Sequence, residues 1–343
     1  FGGARREHRG AWVRPRDLLP HGVSLGPVSI VSEHAGVSNR RFVCHLEGGD
    51  EVEAVLYRGD TLCVSSQVGC AVRCPFCASG ANGLGRGLGL DELVGQVEAV
   101  RGLPGTDRLR RVTVSGVGEP LHNPAALDAF LAWCRGERLG MSLTTSGGPT
   151  RRLREWLHAP HNGLTLSVHA GTEATRARLV PKSPTLGELF SVLADELPRM
   201  TGRRRRKLAL AYLMVAGEND GDAEVDAFLD RVVDVGLPRT EAMVHLYAFN
   251  PVPTAPYQRV DPARYQAVYD RMSARGLRVR MSSQARVEAN GGCGTLVALR
   301  RSRAPRATHL RGATDAGWAR GRGAPPGPRS AGSGHSAGPP GRT

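Results

Sequence analysis

Apolar runs and helical periodicities alternate along the middle of the chain with the spacing of βα units. The strand candidates are 62–66, 111–116, 141–145, 164–169, 207–215 and 243–249. Helical patterns fall at 91–100, 124–133, 150–157, 186–200, 225–235 and 262–272. The clearest is 186–200, where Leu186, Leu189, Phe190, Val192 and Leu193 stand at helical spacing. Six β units, each followed by a helix, predict an α/β fold: a partial, TIM-like (β/α)6 barrel of parallel strands. Ahead of it, residues 29–61 alternate around a Glu47-Gly48-Gly49-Asp50 turn, which predicts a small β-hairpin lead-in. The expected organisation is an N-terminal extension and lead-in over 1–61, a core over 62–299, and a tail over 300–343. Residues 278–299 are expected to fold back over the barrel mouth. The tail is Gly/Pro/Ser/Arg-rich and cannot bury enough apolar surface to order itself.

Composition narrows the class. A hydrophobic content of 40% over 343 residues supports a core. No run of 18 apolar residues occurs, which predicts no membrane span, and no apolar stretch near the N-terminus reads as a secretory leader. Seven cysteines without a disulfide-scaffold pattern point to a reducing cytoplasm. Cys44 and Cys134 sit among apolar residues and read as small core side chains. The formal charge of +14 favours a polyanionic partner. Nine arginines against Asp315 from Arg300 onward place +8 of that charge in the tail. The run Arg203-Arg204-Arg205-Arg206-Lys207 reads either as a solvated loop or as an RNA-backbone contact.

In a parallel barrel, chemistry collects at the C-terminal ends of the strands. The first strand candidate leads straight into Cys70-Ala71-Val72-Arg73-Cys74-Pro75-Phe76-Cys77. Three thiolates on one tight C-x3-C-x2-C loop can hold three corners of a cubane iron–sulfur cluster and leave the fourth iron open. A structural zinc site would pair C-x2-C with a second such pair, and the sequence has none.

Polar groups follow the other strands. Gly116-Val117-Gly118-Glu119-Pro120 comes after the second, Thr144-Thr145-Ser146-Gly147 closes the third, and Ser167-Val168-His169-Ala170 closes the fourth. Asn250-Pro251-Val252-Pro253 follows the sixth. Singly, Ser146 and Gly147 read as a turn, His169 as a core histidine and Asn250 as a turn residue. Jointly they point at one mouth. Beside a three-cysteine cluster, the glycine loop with Glu119 suits the amino group of S-adenosylmethionine (SAM). Cys63 precedes the cysteine loop, and Cys293 sits on a glycine-rich segment, a good place for a nucleophile that must move.

The stretches Leu62-Cys63-Val64-Ser65-Ser66-Gln67-Val68-Gly69-Cys70, Phe76-Cys77-Ala78-Ser79-Gly80, Gly118-Glu119-Pro120-Leu121, Ser167-Val168-His169-Ala170, Asn250-Pro251-Val252-Pro253 and Cys293-Gly294 resemble the RlmN/Cfr family of radical SAM RNA adenine methyltransferases. The resemblance runs in order from about Arg41 to Leu299. It implies the radical SAM barrel, with Cys70, Cys74 and Cys77 on a [4Fe–4S] cluster. It implies a SAM site lined by Gly118, Glu119, Thr144, Ser167, Val168, His169 and Asn250. Thr144 stands where the family commonly has serine. Cys293 would carry the methyl group, Cys63 would resolve it, and Glu53 would accept a proton. The implied reaction methylates an adenine ring carbon, C2 or C8, with C2 in 23S rRNA as the leading reading and tRNA as a further substrate, and uses two SAM per turnover. A flavodoxin or ferredoxin would donate electrons to a cytoplasmic monomer. Two alternatives stand beside this: a radical SAM enzyme acting on a non-RNA substrate such as a peptide, and an inactive cluster-binding, RNA-associated paralogue.

Overall fold

The computed structural model describes residues 27–282, except 82 and 253, together with 296–297. All of these lie within one compact unit, Phe1–Ala304. The expectations for residues 1–26, for Cys293 and for the tail fall outside the described residues.

Three strands open the chain, β1 (Val28–Ala35), β2 (Asn39–Leu46) and β3 (Glu51–Tyr57), paired antiparallel in sequence order. The lead-in is therefore a three-stranded meander. β3 also pairs antiparallel with β4 (Thr61–Val64), so the meander extends the main sheet. A short hairpin of β5 (Gln67–Gly69) and β6 (Leu84–Gly87) brackets the cysteine loop. Then come α1 (Leu90–Arg101), β7 (Arg111–Val114), α2 (Pro124–Gly136), β8 (Gly140–Thr145), α3 (Thr150–His158) and β9 (Gly163–Ser167). Two helices follow, α4 (Glu173–Leu179) and α5 (Leu186–Glu196), then the single turn α6 (Gly202–Arg205) and β10 (Leu208–Met214). The series ends with α7 (Asp222–Asp234), β11 (Met243–Ala248), α8 (Pro262–Ala274) and β12 (Arg278–Met281).

β4, β7, β8, β9, β10, β11 and β12 pair in parallel and in sequence order. The six expected strands are all present, each followed by a helix, as in a partial TIM-like barrel. One expectation needs correction. Residues 278–281 do not fold back over the mouth but add a seventh parallel strand against β11, aligning Val244 with Val279 and Leu246 with Met281. Their alternation of arginines with Val279 and Met281 suits a sheet edge with one wet face.

The pairing decides what each face presents. Leu62, Val64, Val112, Val114, Leu143, Leu164, Leu166, Leu210 and Val244 point outward and join the helix-covered core with Leu93, Phe130, Trp156 and Leu189. The alternate positions point inward and, apart from Ala209 and Ala211 of β10, are largely polar: Thr113 beside Ser142, Thr144 beside Thr165, His245 beside Arg280. A barrel core filled with branched apolar residues would stay dry. This one encloses a cavity of about 520 Å³, lined by Thr113, Ser142, Thr144, Thr165, His245 and Tyr247 among others. Caps fix the helix starts: Thr185 and Glu188 form a reciprocal capping box on α5, and Asp261 caps α8 ahead of Pro262. Among the described residues no helix is long and apolar enough to cross a membrane.

Candidate active site

The cysteine loop leaves β5 at Gly69, whose φ of +78° suits glycine, and the Cys70 N–H donates to Gly83 O at 2.8 Å. A Cβ on Gly69 would lie 1.9 Å from that same oxygen, so only glycine closes the loop this way. Arg73 also adopts a left-handed conformation, and the Cys77 N–H returns to Cys74 O at 3.0 Å. The loop is thus a tight coil that keeps all three cysteines half-exposed and reduced. Val72, Leu179 and Val180 form an apolar cushion under Cys70, Cys74 and Phe76.

The loop after β7 is pinned to the strand that feeds the cysteines. Ser66 N–H and Gln67 N–H both donate to Val117 O, Val117 N–H donates to Ser65 Oγ, and Glu119 N–H donates to Gln67 Oε1 at 2.8 Å. Gly118, at φ +116°, sits so close that a Cβ would meet Ser66 Oγ at 2.7 Å. The buried Glu119 carboxylate accepts from the Thr145 hydroxyl, from Ser146 N–H at 2.7 Å, from Ser146 Oγ–H at 2.8 Å and from Leu121 N–H. Sequence reasoning singled out Thr144, which points into the cavity; the residues that hold Glu119 are the next two along, Thr145 and Ser146.

A second element escaped the sequence altogether. Arg176 on α4 is 2% exposed and makes five hydrogen bonds, to Ser146 O, Ser167 O, Val168 O, Pro184 O and Ser183 Oγ. It ties the C-terminal ends of β8 and β9 into one rim. Burial pulls its guanidinium down to about 10, against the opposing fields of Cys74, Glu119 and Glu173. A lone arginine in an arginine-rich chain carries no signal that would reveal this.

The remaining expected residues take distinct places. Ser167 is half-buried at the end of β9, whereas the Val168 side chain is wholly in the apolar core. His169 adopts φ +58°, packs edge-on against Phe76 at 5.7 Å, and accepts the Leu213 N–H on Nδ1 at 3.0 Å. Burial, reinforced by Arg176, lowers it to about 3, so the ring is neutral with its proton on Nε2. Its carbonyl is held by the buried Asn219, another residue the sequence reading passed over. Asn250 Oδ1 accepts from Arg259 at 3.2 Å.

The inner face gathers a second group. Cys63 is buried and meets Ser115 Oγ at 3.2 Å, and Ser115 meets Thr113 Oγ1 at 3.3 Å. Glu53, 1% exposed, lies on the same face, two residues from Val55, which pairs with Cys63. The Val297 N–H donates to Glu53 Oε1 at 2.7 Å, and Leu296 and Val297 pack on Val43. Cys293 lies outside the described residues; Gly294 and Thr295 alone separate it from Leu296.

The donor set fits an iron–sulfur cluster better than a single ion. Among the described residues no group of three or more His, Cys, Asp or Glu is arranged around one metal position. In a cubane each cysteine takes its own iron, and no such convergence is needed. Burial pushes Cys70 up to about 12 and Cys74 well above the usual thiol range, with the neighbouring thiols adding to both. A polycationic group bound at the loop would offset that cost for Cys70 and Cys74. Cys44 and Cys134, also raised to about 12 by burial, are core side chains away from the loop, as expected.

The parallel barrel, the three-cysteine loop after its first strand and the carboxylate on the next loop define a radical SAM enzyme, and residues 64–232 match the Radical SAM superfamily. A protein named probable RNA methyltransferase from Bordetella avium is 33% identical over 327 residues, covering 89% of each chain. The dual-specificity RNA methyltransferase RlmN of Solidesulfovibrio magneticus is 33% identical over 277 residues, 75% of this chain and 74% of that one. A radical SAM methyltransferase structure from Sphaerobacter thermophilus superposes with a TM-score of 0.70 at 28% identity, covering 79% of this chain and 81% of that one. The chain belongs to the RlmN-type family of radical SAM RNA methyltransferases. Membership implies a [4Fe–4S] cluster and SAM as cofactors.

Proposed function

We propose that this protein methylates an adenine ring carbon of RNA, C2 in 23S rRNA with tRNA as a further substrate, through a methyl group carried on Cys293. The observation that carries the reading is the seat of Leu296 and Val297 on the face that holds Glu53 and Cys63. That contact seats Val297, four residues beyond Cys293 in sequence, on Glu53 across 244 residues of chain, which supports a Cys293 working beside Glu53 and Cys63.

When bound, the cluster and two SAM per turnover supply the methyl group and the radical chemistry that an electron-poor ring carbon requires. Cys70, Cys74 and Cys77 hold the cluster, with electrons delivered by a flavodoxin or ferredoxin. Glu119 receives the SAM amino group, while Gly118, Thr144, Ser167, Val168, His169 and Asn250 shape the rest of that site, Gly118 and Val168 through their backbone. Glu53 takes the proton that the ring carbon gives up. Cys63 then attacks the Cys293 sulfur. An S–S bond forms, the S–C bond breaks, and its electron pair passes to the former methylene carbon, which takes a proton and leaves as the methyl group. An external thiol reduces the disulfide.

Cys63→Ala is expected to accumulate an RNA–protein conjugate joined through Cys293, seen as a shifted band on a denaturing gel. Cys293→Ala forms none. A Cys63 variant that turns over without a conjugate overturns the two-cysteine reading.

A further inference from the structure

The two ends of the parallel sheet differ in charge. Six of its seven strands are entered past an arginine: Arg58 before β4, Arg111 at β7, Arg138 before β8, Arg206 before β10, Arg239 before β11 and Arg278 at β12. The basic run 203–207 belongs to this end and adds to it. The opposite end, where the cysteine loop sits, carries Arg73, Arg176, Arg178, Lys182 and Arg259 together with Glu119, Glu173, Glu218 and Asp220 and is nearly balanced. Asp60 pairs with Arg111 at 3.3 Å and Glu241 with Arg206, but Arg58, Arg203 and Arg280 stand exposed. With strands about 4.8 Å apart, seven of them spread this rim over about 29 Å, long enough to follow several backbone phosphates.

The cavity of about 520 Å³ opens within that rim, since Arg58, Arg111, Arg206 and Arg280 are among its lining residues. Its size falls in the range of small-ligand sites, and its wall mixes the hydroxyls of Thr113, Ser142, Thr144 and Thr165 with apolar groups such as Leu143 and Met243. Thr113 in that wall leads through Ser115 to Cys63. A cation-rimmed, partly polar shaft whose wall connects through two hydrogen bonds to Cys63 suits a nucleotide extruded from its strand, with guanidinium forks on the flanking phosphates.

We infer that RNA docks on the N-terminal end of the parallel sheet and that its target base enters the lumen from there, on the side opposite the cysteine loop. The inference rests on the RNA-methylation reading and adds the docking face to it.

The test uses the full-length, cluster-loaded protein and a fluorescein-labelled single-stranded 12-mer RNA, followed by anisotropy from 50 to 300 mM KCl. Arg58→Glu/Arg203→Glu/Arg280→Glu is expected to weaken binding at least tenfold at 100 mM. It should also lower the slope of log K against log salt by about 2, the loss of three phosphate contacts on a single strand. The same charge change on outer helices, Arg151→Glu/Arg178→Glu/Arg271→Glu, is expected to alter binding less than twofold. Equal binding by the rim variant and wild type, or an equal loss in the helix variant, overturns the docking face. Failure of wild type to bind any RNA overturns the RNA reading itself. Two plugs on different strands, Thr165→Phe and Ser142→Phe, test the entry path. Both are expected to bind the 12-mer as wild type while losing methylation of total rRNA and tRNA. Wild-type methylation by either well-folded plug overturns entry through the lumen.

Discussion

The Val297 backbone N–H donates to the Glu53 carboxylate at 2.7 Å, and both groups are buried. This carboxylate anchors a distant segment and, on the proposed reading, also acts as a base. Substitution separates the two tasks. Glu53→Gln keeps an acceptor oxygen for Val297 and is expected to stay within about 1 kcal/mol of wild-type stability. As a base it is lost, and methylation is expected to fall at least about 100-fold. Glu53→Ala strands the buried N–H as well and is expected to cost a further 1–3 kcal/mol or so. Denaturant unfolding and single-turnover methylation measure the pair; a fully active Glu53→Gln enzyme would remove the base from this site.

Arg176 makes a prediction about the rim. Its planar fork serves five acceptors that no water reaches easily, and lysine cannot reproduce that geometry. Arg176→Lys keeps the charge, yet leaves several buried acceptors unpaired, at about 1–3 kcal/mol each. A total loss of about 3 kcal/mol lowers the Tm by roughly 6–12 °C. Thermal unfolding checks it. A Lys variant that melts with wild type would show that charge alone, not the fork, holds β8 and β9.

The sequence reveals this fold where periodicity and burial coincide. The runs 111–116 and 207–215 register because their outward residues meet helices, and 70–77 registers because three thiols that close have few other uses. Arg176 looks like any arginine on an amphipathic helix; its burial depends on α4 packing over the ends of β8 and β9, a tertiary fact. Thr145 and Ser146 lie one and two places beyond Thr144. Only the strand register decides which of them faces the cavity and which reaches Glu119. The segment at 278–281 carries Arg278 and Arg280 on one face, a pattern that reads as loop until β11 is seen to need a neighbour.

Two buried histidines predict a pH dependence. Burial, aided by nearby cations, lowers His161 to about 4, and His169 falls to about 3, against an ordinary value near 6.5. Between these values the unfolded chain binds protons that the folded chain refuses, so stability rises with pH across that window. It is fully present above about 6.5. As pH falls toward 4 each histidine removes up to about 1.4 kcal/mol per pH unit. Carboxylates held low by arginines, Glu92 and Asp226 among them, also lose stability in acid, so a difference measurement is needed. His161→Asn is expected to flatten the fall in unfolding free energy between pH 6.5 and 4 by about 3 kcal/mol relative to wild type. Parallel curves for the two proteins would place the His161 ring in contact with water.

The contact between Cys63 and Ser115 makes the remaining prediction. Cys63 is buried, and on the two-cysteine reading its thiolate needs a donor before it attacks a sulfur. Ser115 Oγ, at 3.2 Å, supplies one, and Thr113 Oγ1 behind it, at 3.3 Å, relays toward the polar cavity. A hydrogen bond to a charged acceptor contributes about 1.5–3 kcal/mol, so removing it slows attack by roughly 10- to 100-fold. Ser115→Ala is therefore expected to make the RNA–protein conjugate visible in an enzyme that still carries both cysteines, decaying over minutes to free methylated RNA. The rate of that decay should regain speed as pH rises and bulk base replaces the missing donor's help. Ser115→Thr, which keeps the hydroxyl, should restore the wild-type rate at neutral pH. The conjugate's lifetime on denaturing gels across pH 6.5–9 reads all three. If Ser115→Ala clears the conjugate as fast as wild type at every pH, Ser115 is a packing neighbour of Cys63 and the proton leaves by another path.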